Sequence, residues 1–203
     1  MRKVFLWSIL LGRYEQTSFI SDDFELPTKQ YGYSMTYILD MNSSKGDDVV
    51  VVTATTGGAL AQENYSNFVK EATSVLKDKG VNFDFVEVVQ SENFEGHTIN
   101  RFFKEIAQLV KDNDKIYADI TFGIKPYTFS MFIAMAYAVR AAKNVSVESV
   151  VYALKFTGRS DNEKSSKLCD LTSLFYLNEI AGQLRSGDKP AADRMLNFLI
   201  SEE

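Results

Sequence analysis

The stretch "DDVVVVTAT", residues 47–55, decides the fold class of this chain. Its apolar residues occupy consecutive positions and do not alternate with polar ones. Such a run is typical of a central parallel strand that helices cover on both faces. The stretch therefore predicts an α/β domain with three layers.

Strand-like runs alternate along the rest of the chain with segments of helical periodicity. This alternation predicts βα units around a mostly parallel, Rossmann-like sheet. Helix 126–143 is rich in Phe, Met, Ala and Tyr and is expected to be the most buried helix, whereas the polar segment 155–167 is expected to be an exposed loop. The expected strands are 3–12, 47–55, 82–89, 114–121 and 145–154, and the expected helices are 29–42, 61–79, 97–112, 126–143 and 173–185.

The length of 203 residues predicts one main domain, expected over 1–172, with short C-terminal helices over 173–203. The single cysteine cannot form an internal disulfide, which suits a cytoplasmic protein. A net charge of -5 disfavours duplex nucleic acid as a partner. No apolar stretch approaches the ~20 residues that span a bilayer, so no membrane association is expected. The start "MRKVFLWSILLG" is interpreted as a buried first strand, not as a signal sequence.

In a doubly wound sheet, ligands bind in the crevice beyond the carboxyl ends of the strands. The segments that follow the expected strands are rich in small hydroxyls, glycines and cations. This composition suits a pocket for an anion that carries ribose-like hydroxyls. These segments are 12–19, 54–62, 90–98, 121–128 and 155–160.

The segment "TFGIKPYT", residues 121–128, contains the sharpest of these signals. A residue before proline is disfavoured in the α region, so Lys125 is expected to be extended and Pro126 to begin a helix. The free N–H groups of the first turn, together with the Lys125 ammonium, would attract an anion. Alternatively, Gly123 only permits a tight turn and Lys125 is a solvated loop residue.

The segment "TATTGGAL", residues 53–60, lacks the Lys-Ser/Thr pair of a P-loop, and the chain contains no G-x-G-x-x-G. Ordinary NTP or NAD recognition is therefore disfavoured. Gly57 and Gly58 could let backbone N–H groups approach a ligand, or could form a simple flexible turn. The only histidine, His97, has no partner at metal-ligand spacing, so neither a metal nor a cofactor is expected.

Four blocks of the sequence form one combination: "ILLGRYEQTSF", "DVVVVTATTGGA", "SENFEGHTINRFFKEIAQLVKDNDKIYADITFGIKPYTFSMFIAMAYA" and "VVYALK…KLCDLTSL". Together they resemble the CARF domains of type III CRISPR accessory proteins. The resemblance covers about residues 1–175 and implies a Rossmann-like homodimer that binds cyclic oligoadenylate, usually the four-membered ring, across its two-fold axis. A ring with two-fold symmetry fits an isologous dimer whose two crevices face one another.

Carried over onto matching positions, the resemblance implies two groups of site residues. In the fourth-strand motif "TFGIKPYT", the closest branch of the family usually has histidine and arginine where this chain has Phe122 and Lys125. Another branch uses a Thr-Gly-Gly-Thr-Lys form, whose lysine Lys125 could replace. The first-strand loop supplies Tyr14, Gln16, Thr17 and Ser18, and the fourth-strand motif supplies Thr121, Gly123 and Lys125. The further candidates for ligand contacts are Arg13, Thr56, Gly57, Gly58 and Tyr127.

The leading hypothesis is a ring nuclease that binds cyclic tetra-adenylate and cleaves it without a metal, ending the antiviral signal. A ribose 2′-hydroxyl would attack the neighbouring phosphorus, and positioning with charge neutralisation would supply the catalysis. Lys125 would stabilise the phosphorane, while Ser18 or Thr17 would position the hydroxyl or a phosphate oxygen. The alternatives are a non-enzymatic sensor of the same ring, which regulates a partner or an effector domain, and an unrelated Rossmann-like enzyme acting on a mononucleotide or sugar phosphate.

Two effector domains are not expected in this chain. Many CARF relatives carry a HEPN ribonuclease, which needs an arginine and a histidine four to six residues apart, and no histidine follows His97. Residues 173–203 hold three Lys/Arg against five Asp/Glu, which disfavours a DNA-binding winged helix. This extension is expected to be a helical cap or a dimer contact.

Overall fold

A computed structural model describes residues 1–13, 18–90, 95–157, 164–183 and 189–200. Within these ranges the chain forms seven strands and six helices. The strands are β1 (Arg2–Ser8), β2 (Ser18–Ile20), β3 (Asp48–Thr55), β4 (Asn82–Val89), β5 (Lys115–Asp119), β6 (Ser146–Thr157) and β7 (Lys164–Asp170). The helices are α1 (Ser34–Asn42), α2 (Ala59–Lys79), α3 (Gly96–Leu109), α4 (Lys125–Ala141), α5 (Thr172–Gln183) and α6 (Lys189–Ile200).

All seven strands form one sheet in the order β2-β7-β6-β5-β1-β3-β4. Strand β1 lies between β5 and β3 and runs parallel to both. Every neighbouring pair is parallel except β6 with β7. The prediction of an α/β fold with a mostly parallel, Rossmann-like sheet is confirmed.

Strand β3 lies inside the sheet, between β1 and the edge strand β4, and is buried over its whole length except at Asp48, as its unbroken apolar run predicts. On one face of the sheet, the core centres on Trp7 of β1. Its indole ring lies 4.2 Å from Phe68 and 5.9 Å from Tyr33, measured between ring centroids. The indole N–H donates a 2.9 Å hydrogen bond to the hydroxyl of Thr53, so the polar edge of this buried ring is satisfied.

The prediction of an exposed loop over 155–167 is wrong at both ends. Strand β6 continues to Thr157, and β7 begins at Lys164 and returns antiparallel beside it. Residues 158–163 lie outside the described ranges. Within β7, Ser166 and Leu168 are buried while Lys167 and Cys169 are more exposed. This period-two pattern is typical of a strand, and pairing with β6 places it in the sheet.

Helix α4 is not the most buried helix, contrary to the expectation from its composition. One face carries Phe129, Ile133 and Tyr137, whose side chains are 71%, 51% and 53% exposed. Residues four apart lie on the same face of a helix, so these three form a continuous apolar stripe. Helix α1, in contrast, buries six consecutive residues from Ser34 to Leu39.

The chain divides into two compact units, Met1–Thr172 and Ser173–Glu203. The first contains the whole sheet and helices α1 to α4. In the second, the rings of Phe175 and Tyr176 meet edge to face at 5.6 Å. Among the described residues, no helix has both the length and the apolar character that crossing a bilayer requires.

Candidate functional site

The sheet order places a topological switch point between β1 and β5. From β1 the order continues through β3 and β4 on one side and through β5 and β6 on the other. In open α/β sheets, ligands bind outside the carboxyl ends of the strands at such a point. The segments after β1, β3, β4 and β5 all begin at this edge, so the residues that follow these strands define the candidate site.

Gly123, in the loop after β5, lies directly against the end of β1. Its φ of +104° lies in the region that only glycine adopts readily. A Cβ atom at this position would lie 2.6 Å from the Cβ of Ser8, the last residue of β1. Gly123 is therefore required by its conformation and by its close approach to Ser8, and it holds the start of α4 at the switch point.

Helix α4 begins at Lys125, one residue earlier than predicted, and the extended residue is Ile124. The carbonyl of Ile124 accepts N–H groups from both Tyr127 at 2.9 Å and Thr128 at 3.1 Å, so Lys125 already belongs to the first turn. Pro126 has no N–H. In the described structure, the N–H of Lys125 is therefore the one backbone donor of the first turn without a partner. The sequence led us to expect several free N–H groups there.

The Lys125 side chain is exposed, and in the described part of the chain it forms no ion pair or hydrogen bond. Some lysines of the domain are paired, for example Lys3 with Asp47 at 2.6 Å and Lys79 with Asp40 at 2.7 Å. Lys125 is therefore an uncompensated positive charge at the switch point of a protein whose net charge is -5.

Thr121, expected to contact a ligand, is engaged inside the protein. Its hydroxyl donates to the carboxyl of Asp119 and accepts the N–H of Ala153 at 2.8 Å. Ser34 donates to the same carboxyl. Complete burial raises the pKa of Asp119, although the hydrogen bonds from Ser34 and Thr121 oppose this shift. These contacts join β5, β6 and α1 beneath the crevice.

The amino end of α1 is occupied by a carboxylate of the protein. Glu71 of α2 accepts the backbone N–H groups of Gly32 at 2.7 Å and Tyr33 at 3.3 Å, and the hydroxyl of Thr36 at 2.6 Å. In dinucleotide-binding folds, a pyrophosphate takes the corresponding position on the first helix. Here the donors are already paired, which also explains why α1 begins at Ser34 and not at residue 29.

The loop after β3 presents backbone donors at the same edge. Gly58 precedes α2 with a φ of -69°, and no side chain caps the helix. The carbonyl of Gly58 accepts the N–H of Gln62 at 3.1 Å, while the N–H groups of residues 59–61 make no described hydrogen bond. Gly57 is exposed, and a Cβ atom added to it would have no heavy atom within 4 Å. Thr56 is 6% exposed, and its carbonyl accepts the side-chain amide of Gln62 at 3.2 Å.

The loop after β1 is held to α2 by one side chain. The amide of Asn64 donates to the carbonyl of Leu10 at 2.7 Å and to that of Gly12 at 2.9 Å. These bonds carry the backbone to Arg13, whose side chain is exposed and makes no described contact. The predicted site residues Tyr14, Gln16 and Thr17 lie outside the described residues.

Two other predicted site residues cannot reach a ligand at Lys125, one because of its distance and the other because it is buried. Ser18 begins β2, which the sheet order separates from β5 by β7 and β6. Three strand spacings of about 4.8 Å put it roughly 14 Å from β5. Tyr127 is only 1% exposed, and its ring meets Phe102 edge to face at 5.0 Å. The ring of Tyr127 therefore belongs to the core.

Sequence reasoning missed Gln90, which follows β4 at the same edge. Its side chain is 2% exposed, and its Nε2 lies 3.5 Å from the hydroxyl oxygen of Ser8. Its Oε1 is buried and has no hydrogen-bond partner in the described structure. A glutamine directly after the apolar run "FVEVV" was the available signal, because it stands where a strand enters the crevice.

Two grooves lie elsewhere, along β4 and α3. One of about 280 Å³ contains Arg2, Asp48, Asp84 and Lys111 near the amino ends of the strands. The other, of about 350 Å³, contains Val86, Glu87, Glu105 and Gln108 among its lining residues. In the described part of the chain, no group of three His, Cys, Asp or Glu residues could hold a metal ion.

No protein-family model matches the chain, and no curated protein matches it either.

Proposed function

We propose that this protein binds cyclic oligoadenylate, in particular the four-membered ring, at the carboxyl edge of its sheet, and that it cleaves the ring as a homodimer. The observation that carries the proposal is the unpaired, exposed Lys125, which follows Gly123 by two positions at the switch point. The N–H groups at the start of α2 lie on the same edge and offer further donors to an anion. The resemblance to CARF domains supplies the identity of the ligand.

The occupied start of α1 supports a ligand other than a dinucleotide. Glu71 fills the position at which a Rossmann fold receives a pyrophosphate, and its negative charge would repel one. The remaining donors belong to α2, to Lys125 and to Arg13. These lie around the outer part of the crevice, which suits phosphates held near the protein surface, between two subunits.

The cleavage step needs only positioning and charge neutralisation. As the ribose 2′-oxygen forms a bond to the adjacent phosphorus, the bond from phosphorus to the 5′-oxygen breaks. The 2′-hydroxyl proton passes to water, the leaving 5′-oxygen takes a proton from water, and the products are a 2′,3′-cyclic phosphate and a 5′-hydroxyl. Lys125 would stabilise the negative charge that collects on the phosphorane oxygens.

The apolar stripe on α4 supports the homodimer. Phe129, Ile133 and Tyr137 are at least half exposed, and Lys125 precedes them at the same spacing of four residues. A second copy seated on the stripe would bury these side chains. If the two-fold axis runs along α4, both Lys125 ammonium groups lie at one end of the dimer and could bind opposite phosphates of one ring.

The decisive experiment incubates the protein with cyclic tetra-adenylate in EDTA and follows linear products with a 2′,3′-cyclic phosphate by liquid chromatography. We expect turnover by the wild type and a loss of both binding and turnover in Lys125→Ala. Lys70→Ala is the matched control, because Lys70 is exposed about 16 Å along α2 from its start. If the Lys125 and Lys70 variants behave equally, the assignment of the site to Lys125 is refuted. If the protein binds AMP but no cyclic oligoadenylate, the proposed identity of the ligand is refuted.

A second candidate function is a sensor that binds the ring without cleaving it. The position of Ser18 favours this candidate, because the sheet order separates it from the strand that precedes Lys125. The hydroxyl of Thr121 is likewise committed to Asp119 and Ala153. Tight binding without linear products in the EDTA assay would establish the sensor and exclude the nuclease.

A further inference from the structure

Gln90 places an unsatisfied acceptor inside the candidate site. Its side chain is 2% exposed, yet its Oε1 has no hydrogen-bond partner in the described structure. Buried polar groups are nearly always paired, and an unpaired buried acceptor is costly. The backbone of Gln90 is fixed, since its N–H donates a 2.6 Å bond to the carbonyl of Thr55. The amide is therefore held at this edge with its Oε1 unpaired.

The register of the sheet explains how this amide reaches the switch point. Ser8 pairs with Ala54, and Ala54 pairs with Val88. Side chains two residues apart in a strand share a face, so Gln90 lies on the same face as Ser8. The small side chain of Ala54 stands between them and leaves room for the glutamine to extend across β3, bringing Nε2 to 3.5 Å from the Ser8 hydroxyl oxygen.

The amide therefore lies next to the segment that presents Lys125. Ser8 is the residue against which Gly123 packs, and Lys125 follows Gly123 by two positions. A phosphate bound at Lys125 would have its own ribose within a few ångströms. Ser8, Gly123 and Gln90 thus form the floor beneath the proposed anion site.

We propose that Oε1 of Gln90 accepts a hydrogen bond from a ribose 2′-hydroxyl of the bound ring, next to the phosphate held at Lys125. This inference rests on the proposed function and adds a residue that recognises the ribose. A hydroxyl is the donor that fits, because an amide that is 2% exposed admits a single small group more readily than a purine edge. The same contact would orient the 2′-oxygen beside the phosphorus.

A site with a buried hydrogen-bonding group discriminates strongly against a ligand that lacks the matching donor. Gln90 should therefore make the protein selective for ribose over 2′-deoxyribose. Gln90→Met has nearly the same shape and removes the acceptor. Gln108→Met is the matched control, since Gln108 is exposed on α3.

The test measures dissociation constants for cyclic tetra-adenylate and its all-2′-deoxy analogue, on ice and at times short compared with turnover. We expect the wild type and Gln108→Met to prefer the ribose ring by about tenfold or more, and Gln90→Met to lose that preference while binding the deoxy ring as the wild type does. The ratio is insensitive to a fraction of unfolded protein, because unfolded molecules reduce binding of both rings equally.

Gln90→Asn provides a second variant, since it keeps the amide but withdraws it by one methylene, and it should lose the preference too. If either variant binds both rings more weakly but keeps the wild-type ratio, Gln90 has a structural role only and the inference is overturned. A wild type that binds neither ring overturns the proposed function and this inference with it. If the wild type binds the ribose ring and both variants keep its ratio of dissociation constants for the two rings, only the inference about Gln90 is overturned.

Discussion

The hydroxyl of Ser34 donates a hydrogen bond to the buried carboxyl of Asp119, although 85 residues separate them in sequence. Asp119 also accepts the N–H of Thr121 at 2.9 Å and its hydroxyl. The carboxyl thus joins the start of α1 to the end of β5, at the point where β5 enters the candidate site. Its partners compensate for the loss of hydration on burial.

Ser34→Ala should destabilise the protein, because it removes one donor from a carboxyl that water cannot reach. We expect the free energy of unfolding in urea to fall by about 1–3 kcal/mol. Ser44→Ala is the control: Ser44 is exposed, and its loss should change the stability by no more than about 0.5 kcal/mol. Equal effects of the two substitutions would show that the bond to Asp119 contributes no stability.

The raised pKa of Asp119 predicts a pH-dependent stability difference between the wild type and Asp119→Asn. The unfolded carboxyl ionises near pH 3.8, whereas the buried folded carboxyl resists ionisation. As the pH rises from about 4, the wild type should therefore lose stability relative to the variant until the pH passes the folded pKa. Urea unfolding of both proteins from pH 3.5 to 8 measures this difference.

Other carboxylates do not disturb that comparison. Asp40, Asp47 and Glu148 have lowered pKa values, each with a lysine among the causes, so they stabilise the fold above their unfolded pKa and lose this effect as the pH falls. Both proteins contain them, and their contributions cancel. A difference that is constant with pH would show that the hydrogen bonds balance burial at Asp119, and one that grows in favour of the wild type as the pH rises would show that they outweigh it.

The sequence was sufficient to predict the parallel strands of the core but not strand β7 near the edge of the sheet. The run 49–52 has no alternation, and only a doubly covered strand accommodates it, so β3 was predictable. Strand β7 was not, because "KSSKLCD" has the polar composition of a loop and becomes a strand only beside β6. Its stability comes from a long-range pairing that no local propensity encodes.

The position of the candidate site could be predicted from the sequence, but not all of the side chains that form it. Lys125 and Gly123 were found because proline and glycine constrain the backbone locally. The role of Thr121 depends on Ala153 of the next strand, and the reach of Gln90 depends on the small Ala54 between it and Ser8. Such relationships follow from the register of the sheet, which the sequence does not display.

Gly123→Ala should destabilise the protein strongly. The substitution places a side chain at a φ of +104° and a Cβ atom 2.6 Å from that of Ser8. Backbone strain and overlap together should cost at least about 2 kcal/mol in urea unfolding. Gly57→Ala is the matched control: that position has neither constraint and should change the stability by less than about 0.5 kcal/mol.

The two causes at Gly123 can be separated. Adding Ser8→Gly to Gly123→Ala removes the Cβ that the new methyl group meets, so part of the lost stability should return. The strain of the left-handed φ stays, so the double variant should not reach the stability of Ser8→Gly alone. If Gly123→Ala proves as harmless as Gly57→Ala, the close approach between the β5 loop and the end of β1 does not exist in solution.

The apolar stripe on α4 predicts self-association. Size-exclusion chromatography with light-scattering detection should give the mass of a dimer of the 22.9 kDa chain at tens of micromolar protein. Ile133→Asp places a charge in the middle of the stripe and should give a folded monomer, because Ile133 is 51% exposed within one subunit. Ile20→Asp is the control, since Ile20 is similarly exposed at 52% but lies on β2. A monomeric wild type, or a dimer that Ile133→Asp and Ile20→Asp leave equally intact, would contradict this assignment of the dimer face.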